Sequence, residues 1–504
     1  MMLVLLCFLG CAKVGPDYVR APVRVSDNWL EVDDKRVQTE SADYRDWWTV
    51  FNDPVLNQLI DLAYRENLTL HIAGVRVLEA RAQLGVAVGE LFPQTQQAFG
   101  SLEKVRQSGR SPLATPGSEL GYAQSQIGLG ASWELDFWGK FRRAIESADA
   151  TLGATIADYD STLVSLTAEV ATFYILIRTI EKRLHIARRN VELQKESLQI
   201  AEARFQGGTT SQRDVEQAKT VLASTQATIP TLDTQLRQAQ HALSILLGRP
   251  PSQLSDLLAG KSAIPTPPPQ VVVGIPADLL RRRPDIKSAE LKSMAQCARI
   301  GVAKAELYPA FSLSGTFGFQ ASDVRSFSLG DMFEWRSRTG SFGPSLLWNI
   351  LNYGRITNRV RVQDARFQEL LIAYQNTVLK AQQEVEDALI AFLRTQERAE
   401  FLAESAAAAS RSLDLAVLQY REGITDFTTV LTAQQALLNE QDSLASTMGD
   451  ISSNLVGVYR ALGGGWQIRA GQDFVPTPTK EVMAQRTNWG KLLTPVAYTP
   501  PSAD

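Results

Sequence analysis

The chain repeats itself. Residues 133–248 align with residues 348–463 at a constant offset of 215 and without a gap: Trp133 falls on Trp348, Gly139 on Gly354, Glu169-Val170 on Glu384-Val385, Gly208 on Gly423 and Leu247-Gly248 on Leu462-Gly463. Upstream the offset is 216, so that Gly85-Val86-Ala87 and Pro93 recur as Gly301-Val302-Ala303 and Pro309. Length alone suggests three or four domains for 504 residues, but two copies of one architecture imply a single body built twice.

Each copy opens with strand-like alternation. Ile127, Leu129, Ala131, Trp133 and Leu135 alternate with Gly128, Gly130, Ser132 and Glu134, and residues 94–105 form a weaker partner. In the second copy Phe311, Leu313, Gly315, Phe317 and Phe319 alternate with small polar residues, as do Phe342, Pro344, Leu346, Trp348 and Ile350. Period two with one apolar face predicts strands, each near the ten residues that cross a bilayer in a tilted barrel. Trp133, Phe137, Trp138, Trp335, Trp348 and Tyr353 gather at the strand ends, where aromatic girdles meet the membrane surface. A soluble sandwich with one solvated face has the same alternation, but four strands are few for it.

After each strand pair comes a helical pattern too long for a compact domain, over 138–206 and 353–422. At 1.5 Å per residue each spans on the order of 100 Å. Ile156, Leu163, Val170, Ile177, Leu184, Val191, Leu198 and Phe205 recur every seventh residue, and so do Leu371, Val378, Val385, Phe392, Ala399, Ala406, Leu413 and Tyr420. Sustained sevens predict coiled-coil packing. Gly207-Gly208 and Gly423 end these helices, and Ser211 and Asp426 suit N-caps for returning helices over 211–248 and 426–463. A single helix is predicted from Pro54 to Leu91. The Pro-rich stretch 249–276 reads as a crossover between repeat 1 (54–248) and repeat 2 (277–468). The tail 469–504 is rich in Pro and Thr and is expected to be poorly ordered.

Several function classes drop out. A net charge of −3 without a basic patch speaks against nucleic acid. Three isolated histidines and three cysteines offer neither metal-ligand spacing nor a disulfide framework. Ser255–Ser262 approximates a phosphate loop but has Ser where its first Gly is required. Catalytic residues, cofactors and metal ligands are therefore all read as none. No run of eighteen apolar residues predicts a transmembrane helix. Residues 1–10 read as the apolar part of an export signal, and Gly10-Cys11 suits either lipoprotein processing, with the lipid on Cys11, or a cleaved signal without one.

Four strands cannot close a barrel, and open edges are not tolerated in lipid; the chain must oligomerise. The parts predict a mixed α/β membrane protein, a transmembrane β-barrel continuous with a long α-helical coiled-coil barrel. Cys11–Tyr18, Trp47–Leu56, Asp278–Ile286 (Asp-Leu-Leu-Arg-Arg-Arg-Pro-Asp-Ile) and Tyr459–Trp466 together resemble the outer-membrane factor (TolC-like) family, in its lipoprotein branch of multidrug efflux channels. That resemblance implies a homotrimer with four strands per chain and twelve in the barrel, held at the outer-membrane lipid by Cys11 and reaching through the periplasm. It also implies a periplasmic adaptor (membrane fusion protein) and an inner-membrane RND-type pump as partners. Drugs or other small amphiphiles would pass through; ducts for type I protein secretion or metal ions are the alternatives. By the same resemblance the adaptor docks at the helix tips, here Gly207, Gly208, Thr209 and Thr210, and Gly423, Ile424 and Thr425. Family members often carry acids after the second tip glycine and in a later Leu-Asp-Ala-Gln stretch, where this chain has Thr425 and Thr432. Asp426 is the nearest acid and either rings the pore in three copies or simply caps its helix. Arg421 and Glu422 either latch the tip through ion pairs or stand solvated.

Overall fold

A computed structural model describes residues 12–40, 43–110, 120–260, 263–323 and 328–494. Cys11 and the export signal lie outside the described residues, as do Lys261 and Ser262 of the phosphate-loop approximation.

In chain order the elements are β1 (Val37–Gln38), α1 (Pro54–Glu66), α2 (Leu68–Gly89), β2 (Thr95–Arg106), β3 (Gly121–Leu135), α3 (Lys140–Gln206), α4 (Gln212–Leu246), β4 (Val271–Val272), α5 (Leu279–Arg282), α6 (Pro284–Ala305), β5 (Ala310–Ser322), β6 (Arg338–Leu347), α7 (Arg355–Arg421), α8 (Phe427–Ala461) and α9 (Thr477–Arg486). The two halves match in length: α2 and α6 have 22 residues each, α3 and α7 have 67, and α4 and α8 have 35.

Four strands form one antiparallel sheet in the order β2-β3-β5-β6. The halves join at β3 and β5, with Leu129 opposite Phe317 and Trp133 opposite Leu313. This register sorts the faces, because directly paired residues project to the same side. Ile127, Leu129, Trp133, Phe311, Leu313, Phe317, Phe319, Phe342 and Leu346 share one face. Gln124, Gln126, Ser132, Ser312, Ser314, Thr316, Gln320, Ser341 and Ser345 share the other. The outer edges of β2 and β6 are unpaired.

Each strand continues into a helix, and the helices keep the strand order. Below the sheet α2 packs on α3, α3 on α6 and α6 on α7; further down α4 packs on α3, α3 on α8 and α8 on α7. The result is a wall one helix thick. Within it α3 and α7 run unbroken, whereas the other columns are stacked from two helices. At the α4–α2 junction Asn67 accepts from Leu70 N (2.8 Å) and donates to Leu246 O (2.9 Å). At the α8–α6 junction Arg283 donates to Ala461 O (2.8 Å). Gly248 and Gly463, with φ of +67° and +72°, end the lower helices there; a Cβ on Gly248 would stand 2.2 Å from Glu66 O.

Three sequence readings are corrected. The helix predicted over 54–91 is broken at Asn67, since the end of α4 abuts it and Asn67 turns to cap α2. Strand β3 begins at Gly121, because Gly121–Ser125 pairs with Leu102–Arg106. Nor are residues 470–494 irregular throughout: Val475 and Met483 bury themselves against Leu78, fixing α9 on α2, while residues 495–504 lie outside the described residues. One eighteen-residue stretch of α3 is apolar enough to cross a membrane, but 72% of it is buried inside the protein, as in a core helix.

Candidate functional site

The N-terminal segment is a strap. Val14 N donates to Trp138 O (3.0 Å), where β3 turns into α3. Gly15, at φ +99°, crosses Gly301 so closely that a Cβ would sit 2.5 Å from Gly301 Cα. Arg143 reaches Val14 O, Gly15 O and the Asp17 carboxylate. Further along, Arg20 pairs with Glu290, Gln382 bridges Arg24 O and Ser26 N, and Trp29 Nε1 donates to Gly274 O (2.9 Å). Arg36 joins Asp34 and Glu397 before β1 pairs with β4 in parallel.

Three of the sequence motifs meet in one place. Trp47 stacks on Tyr459 at 5.4 Å between ring centroids. Arg282 lies over the Tyr44 ring at 4.2 Å, and Trp466 Nε1 donates to Arg282 O (3.1 Å). Gly463, Gly464 and Gly465 let these groups close, since a Cβ on Gly465 would meet Thr167 Oγ1 at 2.8 Å. The three arginines divide the work: Arg281 pairs with Asp278 at the surface, Arg282 stacks, and the buried Arg283 bonds Ala461 O, Asp285 and Glu384. Burial carries the cost of the Arg283 charge, and its carboxylate partners hold it protonated, above its ordinary range. This node clasps the helix junction, and a small polar cleft beside it is lined by Ser161, Ser165, Arg283, Asp285, Glu384 and Arg460.

At the lower end each hairpin closes through a left-handed glycine, Gly208 at φ +70° and Gly423 at φ +77°. Thr209 N donates to Arg204 O and Ile424 N to Gln419 O, both at 2.9 Å, which satisfies the last helical carbonyls. The following caps differ. Asp426 accepts from Thr429 N (3.1 Å) and Thr429 Oγ1 (3.0 Å). At the first tip Ser211 makes no side-chain cap bond; instead Asp214 accepts from Thr210 Oγ1. That hydrogen bond holds the Asp214 carboxyl below the usual carboxylate range. Gly207, Gly208, Thr209, Gly423 and Ile424 are exposed, with Thr210 and Thr425 half-buried. Arg421 and Glu422 are exposed too, and neither enters an ion pair among the described residues of the single chain.

Sequence reasoning placed Arg204 and Tyr420 at the starts of the tips, with Tyr420 on the heptad seam, but gave neither a site role, yet they tie the two tips. Arg204 donates to Tyr420 O and lies over its ring at 4.5 Å, and Tyr420 packs on Phe427 at 5.0 Å. An apolar cluster including Ala201, Val215, Leu413, Val430 and Leu437 completes the contact. The available signal was Tyr420 closing the heptad series next to a tip glycine. Above it the buried Gln434 donates to Ser197 Oγ (2.6 Å), and Arg183 forks onto Asp442 at 2.8 and 2.9 Å.

Among the described residues no group of three or more His, Cys, Asp or Glu is placed to hold a metal ion. The sequence pattern described as "Outer membrane efflux protein" matches twice, over 59–249 and 275–464. The chain belongs to the outer membrane efflux protein family. It is 32% identical to the pyoverdine export outer membrane protein OpmQ of Pseudomonas putida, over 84% of this chain and 88% of the relative. It is 30% identical to nodulation protein T of Rhizobium leguminosarum bv. trifolii, over 91% and 95%. The outer-membrane channel OprN superposes with a TM-score of 0.83 at 33% identity, covering 90% of this chain and 99% of that one. The Neisseria gonorrhoeae MtrE channel in its open state superposes with a TM-score of 0.77 at 26% identity, over 90% and 99%. The chain is thus an outer-membrane efflux protein, and its relatives are channels and pump components rather than enzymes.

Proposed function

We propose that three copies form the outer-membrane exit duct of a tripartite efflux pump, passively conducting drugs or other small amphiphilic molecules. The observation that carries this is the matched order of strands and helices, β2-β3-β5-β6 above α2-α3-α6-α7. It gives a one-layer wall with two unlike open edges. Unlike edges associate head to tail and close into a ring. Eight strands leave an interior that side chains fill, so two copies make no duct; three give twelve strands over twelve helical columns. The polar sheet face of Ser, Thr, Gln and Gly then lines the lumen, and the apolar face meets lipid.

The strap supports a lipid on Cys11. Val14, three residues after Cys11 in the sequence, is fixed at the strand–helix junction. The exposed tips, Gly207 to Thr210 and Gly423 to Thr425, are the proposed adaptor-docking surface, beyond which the inner-membrane RND-type pump supplies the energy. Arg421, Glu422 and Asp426 are assigned to the constriction, where three copies meet. Relatives named for pyoverdine export and for toluene efflux support small organic cargo.

The test is disruption of the gene in its host, followed by a panel of dyes, detergents, antibiotics and metal salts alongside an inventory of secreted proteins. Hypersensitivity to amphiphiles, restored by the wild-type gene, supports the assignment. Unchanged sensitivity with a lost exoprotein would replace it with type I secretion, and sensitivity confined to metals would replace it with metal export.

A further inference from the structure

The membrane-facing side of the sheet carries cations at one height only. Strand β2 alternates, so Gln96, Ala98, Gly100, Leu102, Lys104 and Arg106 share the apolar face, and on β6 Arg338 shares it with Phe342, Pro344 and Leu346. Lys104 pairs with Ala123, ten residues before Trp133. Arg338 lies ten residues before Trp348 and is the repeat counterpart of Ala123, at the same offset of 215. Ten residues rise roughly 33 Å along a strand, or about 25 Å along the membrane normal at a tilt of about 40°, which is the height of the apolar band. With the lower tryptophans at the periplasmic surface, Lys104 and Arg338 therefore stand at the headgroups of the outer leaflet.

No ion pair among the described residues neutralises them. Among the described residues none of Lys104, Arg106, Arg336 and Arg338 enters an ion pair, and all four are exposed. Arg338 donates to Trp335 O (2.7 Å) and lies over the Trp335 ring at 4.7 Å, which orients its guanidinium beside an aromatic that is 68% exposed. Asp331 accepts from Ser328 N and Asp323 from Ala123 N, and Glu103 projects to the opposite face, leaving Glu334 as the acid of the same loop. Lys104 and Arg106 lie on one open edge of the sheet, Arg338 on the other.

Resting on the ring proposed above, we propose that each seam between copies is a binding site for the phosphates of an outer-leaflet lipid. Arg338 and Arg336 come from one copy, Lys104 and Arg106 from the next. The site exists only in the assembled ring, so a phosphorylated lipid seals the joint it occupies. Guanidinium groups fork onto phosphate oxygens, and Trp335 at the interface covers the apolar part of the headgroup.

The test uses the full-length assembled protein and native mass spectrometry, with bisphosphorylated lipid A, its dephosphorylated form and inorganic phosphate as probes. Retention of bisphosphorylated lipid A by the trimer is expected. Each single-edge variant, K104Q/R106Q or R336Q/R338Q, should weaken it at least about tenfold, the scale of losing charged hydrogen bonds, while K104R/R338K keeps it. Circular dichroism and trimer mass confirm that the variants fold and assemble. Unchanged retention in either edge variant overturns the seam site. Equal retention of the dephosphorylated lipid, or displacement by millimolar inorganic phosphate, overturns the lipid as its ligand. A wild-type particle with the mass of one chain overturns the ring itself, which is a distinct failure.

Discussion

Asn67 and Arg283 occupy equivalent places in the two halves, at the offset of 216, and do one job with different chemistry. Each begins an upper helix and each donates to the carbonyl that ends the helix below. Replacing Arg283 by Met leaves the Ala461 carbonyl without its charged donor in a site where Arg283 is buried, a loss of about 2–3 kcal/mol. Asn67→Ala removes a cap and a neutral hydrogen bond, about 1–2 kcal/mol. Thermal unfolding in detergent should rank Arg283→Met as the more damaging, and the reverse order would show that the packing of the columns, not these bonds, fixes the junction. A second prediction concerns the strap. The Arg36 guanidinium beside Asp34 lowers its carboxyl from an ordinary 3.8 to about 2, and Arg36 likewise lowers Glu397. A carboxyl lowered in the fold stabilises above its ordinary range and stops doing so as pH falls through its folded value. Amide protection over residues 29–38, taken relative to intrinsic exchange rates, should therefore stay high at neutral pH and fall between about pH 4 and pH 2. Asp34→Asn should lower protection already at pH 7 and shrink the acid step to what Glu397 contributes.

Helices α3 and α7 show what a repeat reveals and what it hides. Both have 67 residues and the same sevens, yet α3 buries 32 residues and α7 only 12, because α3 has neighbours on both sides and α7 is an edge. The heptads, the alternation and the tip glycines were legible because each is written in local spacing. The break at Asn67 was not, since its cause is Gly248 arriving from 181 residues away. The docking of the extended N-terminal segment and of α9 was not legible for the same reason: Gly15 on Gly301, or Met483 on Leu78, are contacts that no period announces. Pro230 gives a test at this scale. It sits inside α4, where the second repeat has the buried Ala445 of α8. Proline removes one helical hydrogen bond and crowds the preceding turn, at a cost near 3 kcal/mol in a helix interior. Pro230→Ala should raise the melting temperature. No rise would mean that the wall needs a bent α4 and already compensates for it.

At the scale of the whole molecule, one chain leaves both margins uncovered. Along the α7 edge Ile372, Leu379 and Phe401 stand 56%, 53% and 73% exposed, and along α2 Leu68, Ile72 and Val86 stand 64%, 55% and 64% exposed. A soluble monomer does not keep two such stripes on opposite margins. The sheet edges above them are open in the same sense, and in lipid each unpaired backbone group costs several kcal/mol. In the proposed ring, helix contacts and strand pairing would then depend on one another, with strands entering the membrane only once the edges below have met. Charging one helical edge well outside the membrane should then empty the membrane above it. Ile372→Glu with Leu379→Glu leaves each chain's own core intact, so far-UV circular dichroism should keep its helical signal. Light scattering should report single chains, and fractionation should move the protein from the outer membrane to the soluble periplasmic fraction. A trimer that persists would show that the strands alone drive assembly. A lone chain found inserted would contradict the argument at its root, because that chain would hold two unpaired strand edges in hydrocarbon.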